Sequence, residues 1–249
     1  VTSITTDRGF PLRPEADRTT FLVLLVLVWI GVLSGFVPES ISHVSRHGLD
    51  YPLIVHFHAV AFSAWLVLFT VQTALIRRHR IDLHKRLGLA GAALAAVMVV
   101  IGPATALVVA EGRFVTHHDT PEFLAIQFTD IVAFAGLTGA GLLLRGAPAA
   151  HKRLMLLGLI YISDAGFNRY LNQVVGGLLG RGPANDLFGL YGFSDILMLV
   201  LGAFDLITRR RLHPAYIAGL AWCLACEVIG VVGVLSPAWK ATSLHLIGH

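Results

Sequence analysis

Charge is what this sequence has least of. Only 14% of its 249 residues are Asp, Glu, Lys or Arg, while 55% are hydrophobic. Soluble domains carry about a quarter of their residues charged, so a water-exposed globule and a disordered chain are both excluded. Cysteine is nearly absent. The two present, Cys223 and Cys226, rule out a disulfide-stapled scaffold. Both fall within one apolar run, where thiols on adjacent helical turns are poorly placed to bridge, so a packing role is expected. The chain lacks a P-loop, a GxSxG elbow and an HExxH pair, which removes the phosphate cradle, nucleophile and zinc site those motifs serve. No lysine lies inside an apolar run, so a retinal-type Schiff base has no attachment point.

What the chain does have is long uncharged runs and a mean hydropathy of +0.73. Runs of this length are those of membrane helices. We read an all-α, polytopic bundle of about seven transmembrane helices, at roughly 20–37, 53–76, 87–110, 123–144, 154–177, 189–208 and 215–235. The first run is taken as a helix rather than a signal peptide, because no small-residue cleavage site follows it. The chain then forms one transmembrane domain, with 1–19 as a cytoplasmic segment and 236–249 as an outer tail. Basic residues alternate between loops. Arg8, Arg13 and Arg18, then Arg77 to Arg86, then Arg145, Lys152 and Arg153, then Arg209 to Arg211 all fall on one side, against Arg46, Arg113, Arg181 and Lys240 on the other. The positive-inside rule puts the N-terminus in the cytoplasm and the C-terminus outside, in a bacterial cytoplasmic (inner) membrane. The net charge of +4 therefore reports topology, and the partner it implies is the lipid bilayer rather than nucleic acid.

A weak repeat runs through the chain: a polar residue in an apolar helix, a short basic inner loop, then a His opening the next helix. It reads HFHAVAF…RRHRIDLHKRLGLAG, QFTDIVAF…RGAPAAHKRLMLLG and GFSDILML…TRRRLHPAYIAG. Three helical hairpins on one plan are expected, and repeated helix pairs commonly hold sites at their interfaces. Over about residues 50–172 the succession His58, Gln72, Leu83-His84-Lys85-Arg86-Leu87-Gly88, His151-Lys152-Arg153-Leu154-Met155 and Arg169 resembles the bacterial polytopic family known as "domain of unknown function 2306". The chain departs from that family in its extra helices at both ends and in Leu154, where a bulky aromatic is favoured. The resemblance implies a helical membrane bundle and marks His58, His84, His151 and Arg169, without naming a reaction.

Ionisable residues inside apolar runs are functional-site candidates, because hydrocarbon penalises them unless they are paired. Asp130, Asp164, Asp195 and Glu227 stand in four different runs. Counting ~1.5 Å per residue across a core ~30 Å thick puts His58 roughly 9 Å, Asp130 roughly 13 Å and the other three about 10 Å below the outer surface. Equal depth on five helices suggests one layer. His58 is preferred to His56 as the inward-facing residue because it continues with Trp65 and Gln72 at seven-residue spacing. Asn168 shares a face with Asp164, and Arg169 is expected to neutralise Asp130 or Asp164.

Such a layer fits a metal centre, a proton relay or a cation site. For a metal, His58, Asp130, Asp164, Asp195 and Glu227 are the expected ligands, with Asp164, Asn168 and Arg169 as the catalytic group. A di-iron site is disfavoured, since Glu-x-x-His is absent. For haem, the inner histidines His84 and His151, with His213, share a depth, although each sits at a helix start where headgroup anchoring is the plainer role. The outer loops, with His43, His47, Asp50, His117 and His118, have the composition to gather metal ions. Interhelical hydrogen-bond glue, with Gly136 and Gly139 in close packing, is the alternative that needs no function at all. The leading expectation is a membrane redox protein or enzyme using a transition metal or haem. A proton- or cation-coupled small-solute transporter comes second. A non-catalytic subunit or assembly factor of a respiratory or photosynthetic complex, bound to other subunits, comes third.

Overall fold

The computed structural model describes residues 10, 14–180 and 182–249. Arg8, Arg13 and Arg181, used above to assign sidedness, lie outside the described residues. Those described are helical throughout: α1 Pro14–His47, α2 Leu53–Arg77, α3 Ile81–His117, a 3-10 turn Pro121–Phe123, α4 Leu124–Leu143, α5 Pro148–Ile162, α6 Asp164–Leu179, α7 Pro183–Arg209, α8 Pro214–Leu235 and α9 Pro237–Leu246. Proline sets many of the starts. It opens α1, α5, α7, α8 and α9, where its missing N–H is one the helix would leave unpaired in any case.

Among the described residues six helices are long and apolar enough to cross a membrane: α1, α2, α3, α4 with its 3-10 turn, α7 and α8. Aliphatic side chains such as Val23, Ile30, Val100, Ile207 and Val228 are exposed along them, as contact with lipid requires. The expected span 154–177 differs, because it is broken. α5 has 15 residues and α6 has 16, each short of the ~20 that reach across a bilayer. At the break the Ser163 N–H is shared between the Leu159 and Ile160 carbonyls, both at 3.2 Å, and the Gly166 N–H bonds back to the Ser163 carbonyl at 2.9 Å. This is a 3-10-like tightening that interrupts the α-helical ladder.

Several helices exceed the runs that announced them. α1 continues to His47 and α3 to His117, so most of the two expected outer loops is helix. α6 ends at Leu179 and α7 begins at Pro183. The expected C-terminal tail contains α9, which packs on the 3-10 turn: the Trp239 indole N–H donates to the Glu122 carbonyl at 3.0 Å, and Lys240 pairs with Glu122 at 3.0 Å.

The chain divides into two compact units, Val1–Asp50 with Leu137–Ala221, and Tyr51–Gly136 with Trp222–His249. The first is built around α1, α6 and α7. Gly35 meets the backbone of Gly166 so closely that a Cβ at Gly35 would stand 2.0 Å from the Gly166 carbonyl oxygen, and one at Gly31 would stand 1.9 Å from the Phe167 ring. Glycines four apart on α1 thus form the floor on which α6 lies. In the second unit α2 packs along α3. Gly102 of α3 receives Ile131 of α4 and approaches Phe62 of α2, and Trp65 meets Phe134 edge-on at 5.3 Å. A small core of Ala106, Leu124 and Ile247 closes its far end, flanked by Phe114, Phe128 and Trp239.

The helix pairs that follow the three repeated segments touch. α2 packs on α3, Gly141 of α4 lies against Met155 of α5, and the Tyr216 hydroxyl of α8 donates to the Met198 carbonyl of α7 at 2.9 Å. The two glycines expected in close packing part company. A Cβ at Gly136 would lie 2.5 Å from the Trp222 indole nitrogen, whereas one at Gly139 would meet nothing within 4 Å.

Candidate functional site

In the first unit the break before α6 precedes a buried acid. Asp164 is the first residue of α6. It is buried, and its Oδ1 lies 2.7 Å from the Oγ of Ser194 on α7. The same Oγ lies 2.8 Å from the Tyr191 carbonyl. A serine hydroxyl owns one proton and here faces two acceptors. If Asp164 is ionised, Ser194 donates to it. If Asp164 is protonated, the carboxyl donates to Ser194, and the hydroxyl proton turns to Tyr191.

Asp195 follows Ser194 on α7 and is half-buried, as is Asn168, one turn beyond Asp164 on α6. Arg169 takes a different partner from the one expected. It pairs with Glu39 of α1 at 2.6 Å, lies over the Phe36 ring at 4.3 Å and donates to the Ala165 carbonyl. The reason lies in α1, which stays helical ten residues past its expected end at Val37 and so carries Glu39 one turn beyond the Gly31–Gly35 contact with α6. Arg169 thereby clamps α6 to α1.

The second unit holds His58, Asp130 and Glu227. Asp130 and Glu227 lie close enough for each charge to act on the other, and Cys226 is within reach of both. His58 stacks on Phe62 at 4.0 Å, on the side of α2 that leads to buried Trp65. The structure thus places two of the five layer residues, Asp164 and Asp195, in the first unit and three in the second. Cys223 and Cys226 are buried free thiols, in keeping with a packing role.

The most developed polar feature was absent from the sequence reading. In the first unit Arg153 and Asp205, both 0% exposed, form a two-pronged ion pair with both bonds at 2.6 Å. Arg209 bridges Asp205 at 3.1 Å and Asp17 at 2.5 Å, and Lys152 also pairs with Asp17. The ring of Phe10 faces the guanidinium groups of Arg153, Arg209 and Arg211 at 4.6, 5.3 and 5.3 Å. Arg210 makes this possible by taking a left-handed conformation, φ 59°, that turns the chain immediately after α7. Three cations and two carboxylates from α1, α5 and α7 are thereby locked together. Burial holds the Lys152 ammonium below its ordinary range even though Asp17 opposes that shift. Two signals were available in sequence: Asp205 and Arg209 are four apart on one helix, and Asp205 lies inside the run 189–208.

The inner histidines have local work. His151 shares a hydrogen with the Gly141 carbonyl at 2.7 Å, fastening α5 to α4, and the His213 Nδ1 accepts the Ala215 N–H at 3.1 Å while the ring meets Phe10 edge-on at 4.8 Å. His213 thus carries no proton on Nδ1 and caps α8. His84, at the start of α3, is half-buried. A metal needs three or more donors converging on one point. Among the described residues no three His, Cys, Asp or Glu side chains are grouped to hold a metal ion, so the donor set does not fit one. No protein-family model, curated protein or solved structure matches the chain significantly.

Proposed function

We propose that this chain is a proton- or cation-coupled transporter of small solutes in the bacterial cytoplasmic membrane. It crosses seven times when α5 and α6 are counted as one broken crossing, with the N-terminus cytoplasmic and the C-terminus outside. The convergence of Lys152, Arg153 and Arg209 on Asp17 and Asp205 supports a common side for the segments of Asp17, Lys152, Arg153 and Arg209, with Asp205 one turn inside the run 189–208. The likeness of residues 50–172 to the family named above is kept as part of this proposal.

The observation that carries the reading is the Ser194 hydroxyl set between the Asp164 carboxylate and the Tyr191 carbonyl. Protonation of Asp164 reverses one hydrogen bond and redirects another, so occupancy by a proton is translated into the contact between α6 and α7. The neighbouring architecture gives that change somewhere to go. α6 is fastened to α1 through Gly35 and Glu39, α5 is fastened to α7 through Arg153 and Asp205, and Ser163 lies between them. Discontinuous membrane helices of this kind place binding groups at half-helix ends, where backbone can move at low cost. The Asp130 and Glu227 pair supplies a second place where a shared proton or monovalent cation relieves like-charge repulsion.

The test needs no known solute. Proteoliposomes on a solid-supported electrode are given pH, Na⁺ and K⁺ jumps, and the transient charge displacement is recorded. Wild type is expected to respond to at least one jump, Asp164→Asn to lose or strongly reduce that response, and Ser194→Ala to shift its midpoint. A silent wild type, or an Asp164→Asn protein indistinguishable from it, overturns the proposal.

A further inference from the structure

The second unit contains buried polar atoms that find no partner among the described residues. The indole nitrogen of Trp65, the amide oxygen of Gln72, the hydroxyl of Thr105 and Oδ1 of Asp130 are all buried and make no hydrogen bond. Trp65 and Thr105 are themselves more than nine-tenths buried. In water such groups are satisfied, and in a lipid-surrounded helix bundle each unmet one is costly.

These groups are arranged along one path. Phe62 and Trp65 of α2 occupy successive turns. Gly102 lies against Phe62 and Ile131, with Thr105 one turn further along α3, while Trp65 meets Phe134, one turn from Asp130 on α4. Trp65, Thr105 and Asp130 therefore border one interface among α2, α3 and α4. Gln72 lies seven residues after Trp65 on the same face of α2, about 10 Å nearer the end that carries Arg77. There is space beside it: a Cβ on Gly88 would have the Gln72 amide nitrogen at 3.8 Å as its only neighbour within 4 Å. Each ~10 Å step is the length of about three hydrogen-bonded waters. Polar, partner-poor interiors of this kind are where buried water resides.

We propose that this unit holds a file of internal water along α2, from the Asp130 and Glu227 carboxylates past Trp65 to Gln72, through which those acids exchange protons with the Arg77 side of the membrane. Its use in coupling rests on the transport reading; its existence does not. A proton entering at Gln72 passes from water to water and ends on a carboxylate oxygen, with no other reactant consumed.

Accessibility to silver ion tests the path. In full-length protein carrying Cys223→Ala and Cys226→Ala, single Gln72→Cys and Thr105→Cys variants are exposed to micromolar Ag⁺ in liposomes. Val71→Cys, beside lipid, and Met98→Cys, in fully buried packing, serve as controls. Thiols beside water are expected to react at least about tenfold faster than the controls, because only the ionised thiol reacts readily. Rates equal to those of Met98→Cys, in variants that melt like the parent, overturn the proposal. A second readout needs no new cysteine: the Trp65 indole N–H, assigned by its loss in Trp65→Phe, should exchange with D2O while the core amides remain protected. Exchange as slow as those amides also overturns it. Failure of the pH-jump currents with silver accessibility intact would sink the transport reading alone.

Discussion

The pair Arg153 and Asp205 invites a double-mutant cycle. Both side chains are 0% exposed and joined by two bonds of 2.6 Å. Each charge-assisted bond contributes about 1.5–3 kcal/mol, and removing one member of a buried pair leaves the other charge stranded, at a cost of about 3–5 kcal/mol. Arg153→Met strands Asp205 with only the longer 3.1 Å contact to Arg209. Asp205→Leu strands Arg153, whose remaining hydrogen bond is to the Ala149 carbonyl. Each single variant is expected to lower the melting temperature in detergent by about 6–20 °C, taking ~2–4 °C per kcal/mol for a chain of this size. The double variant should recover most of that loss, because no uncompensated charge remains and Arg209 keeps Asp17 at 2.5 Å. Single losses below about 1 kcal/mol, or a double variant as unstable as the sum of the two, would refute the reasoning.

Two further outcomes follow from packing and charge. Gly35→Ala requires α1 and α6 to part by roughly 1–1.5 Å before a Cβ clears the Gly166 carbonyl, so a loss of about 1–3 kcal/mol is expected in denaturant titration, while Gly139→Ala, with open space around it, should be neutral or gain up to ~1 kcal/mol. Lys152→Met should be nearly neutral near pH 7, since Asp17 retains Arg209. The Lys152 ammonium titrates below its ordinary value in the folded protein, so the unfolded chain binds more protons between that lowered value and the ordinary lysine range. Stability of the wild type should therefore rise with pH across that window, and melting curves of Lys152→Met should lack the rise.

Helical class and apolar runs were legible because they depend on composition summed over many residues. The break at Ser163 was not, because the run 154–177 shows no proline and its glycines resemble those of unbroken helices. Gly136 and Gly139 are indistinguishable in sequence, and only the position of the Trp222 ring separates them. Depth counting groups acids by level alone, and depth says nothing of azimuth, so it did not foresee which of them would share a unit. Asp17 was not legible for a related reason. An acid near a helix end reads as solvated until the helices supplying its cations are in place.

The broken crossing also has a consequence for how the chain enters the membrane. A segment inserts on its own when its apolar length offsets its polar residues, and an Asp or Arg near the middle of a helix costs about 2.5–3.5 kcal/mol on the insertion scale. α6 brings Asp164, Asn168 and Arg169 in 16 residues, and α5 is shorter still, so neither half meets that condition alone. Their partner is made first. α1, with the Gly31–Gly35 floor and Glu39, leaves the ribosome well before α6 is synthesised, and it can wait in the bilayer as the template on which the polar half-helix is received. Substitutions on the α6-facing side of α1 should then appear as failures of topology in the nascent chain, before any folded protein exists to be destabilised.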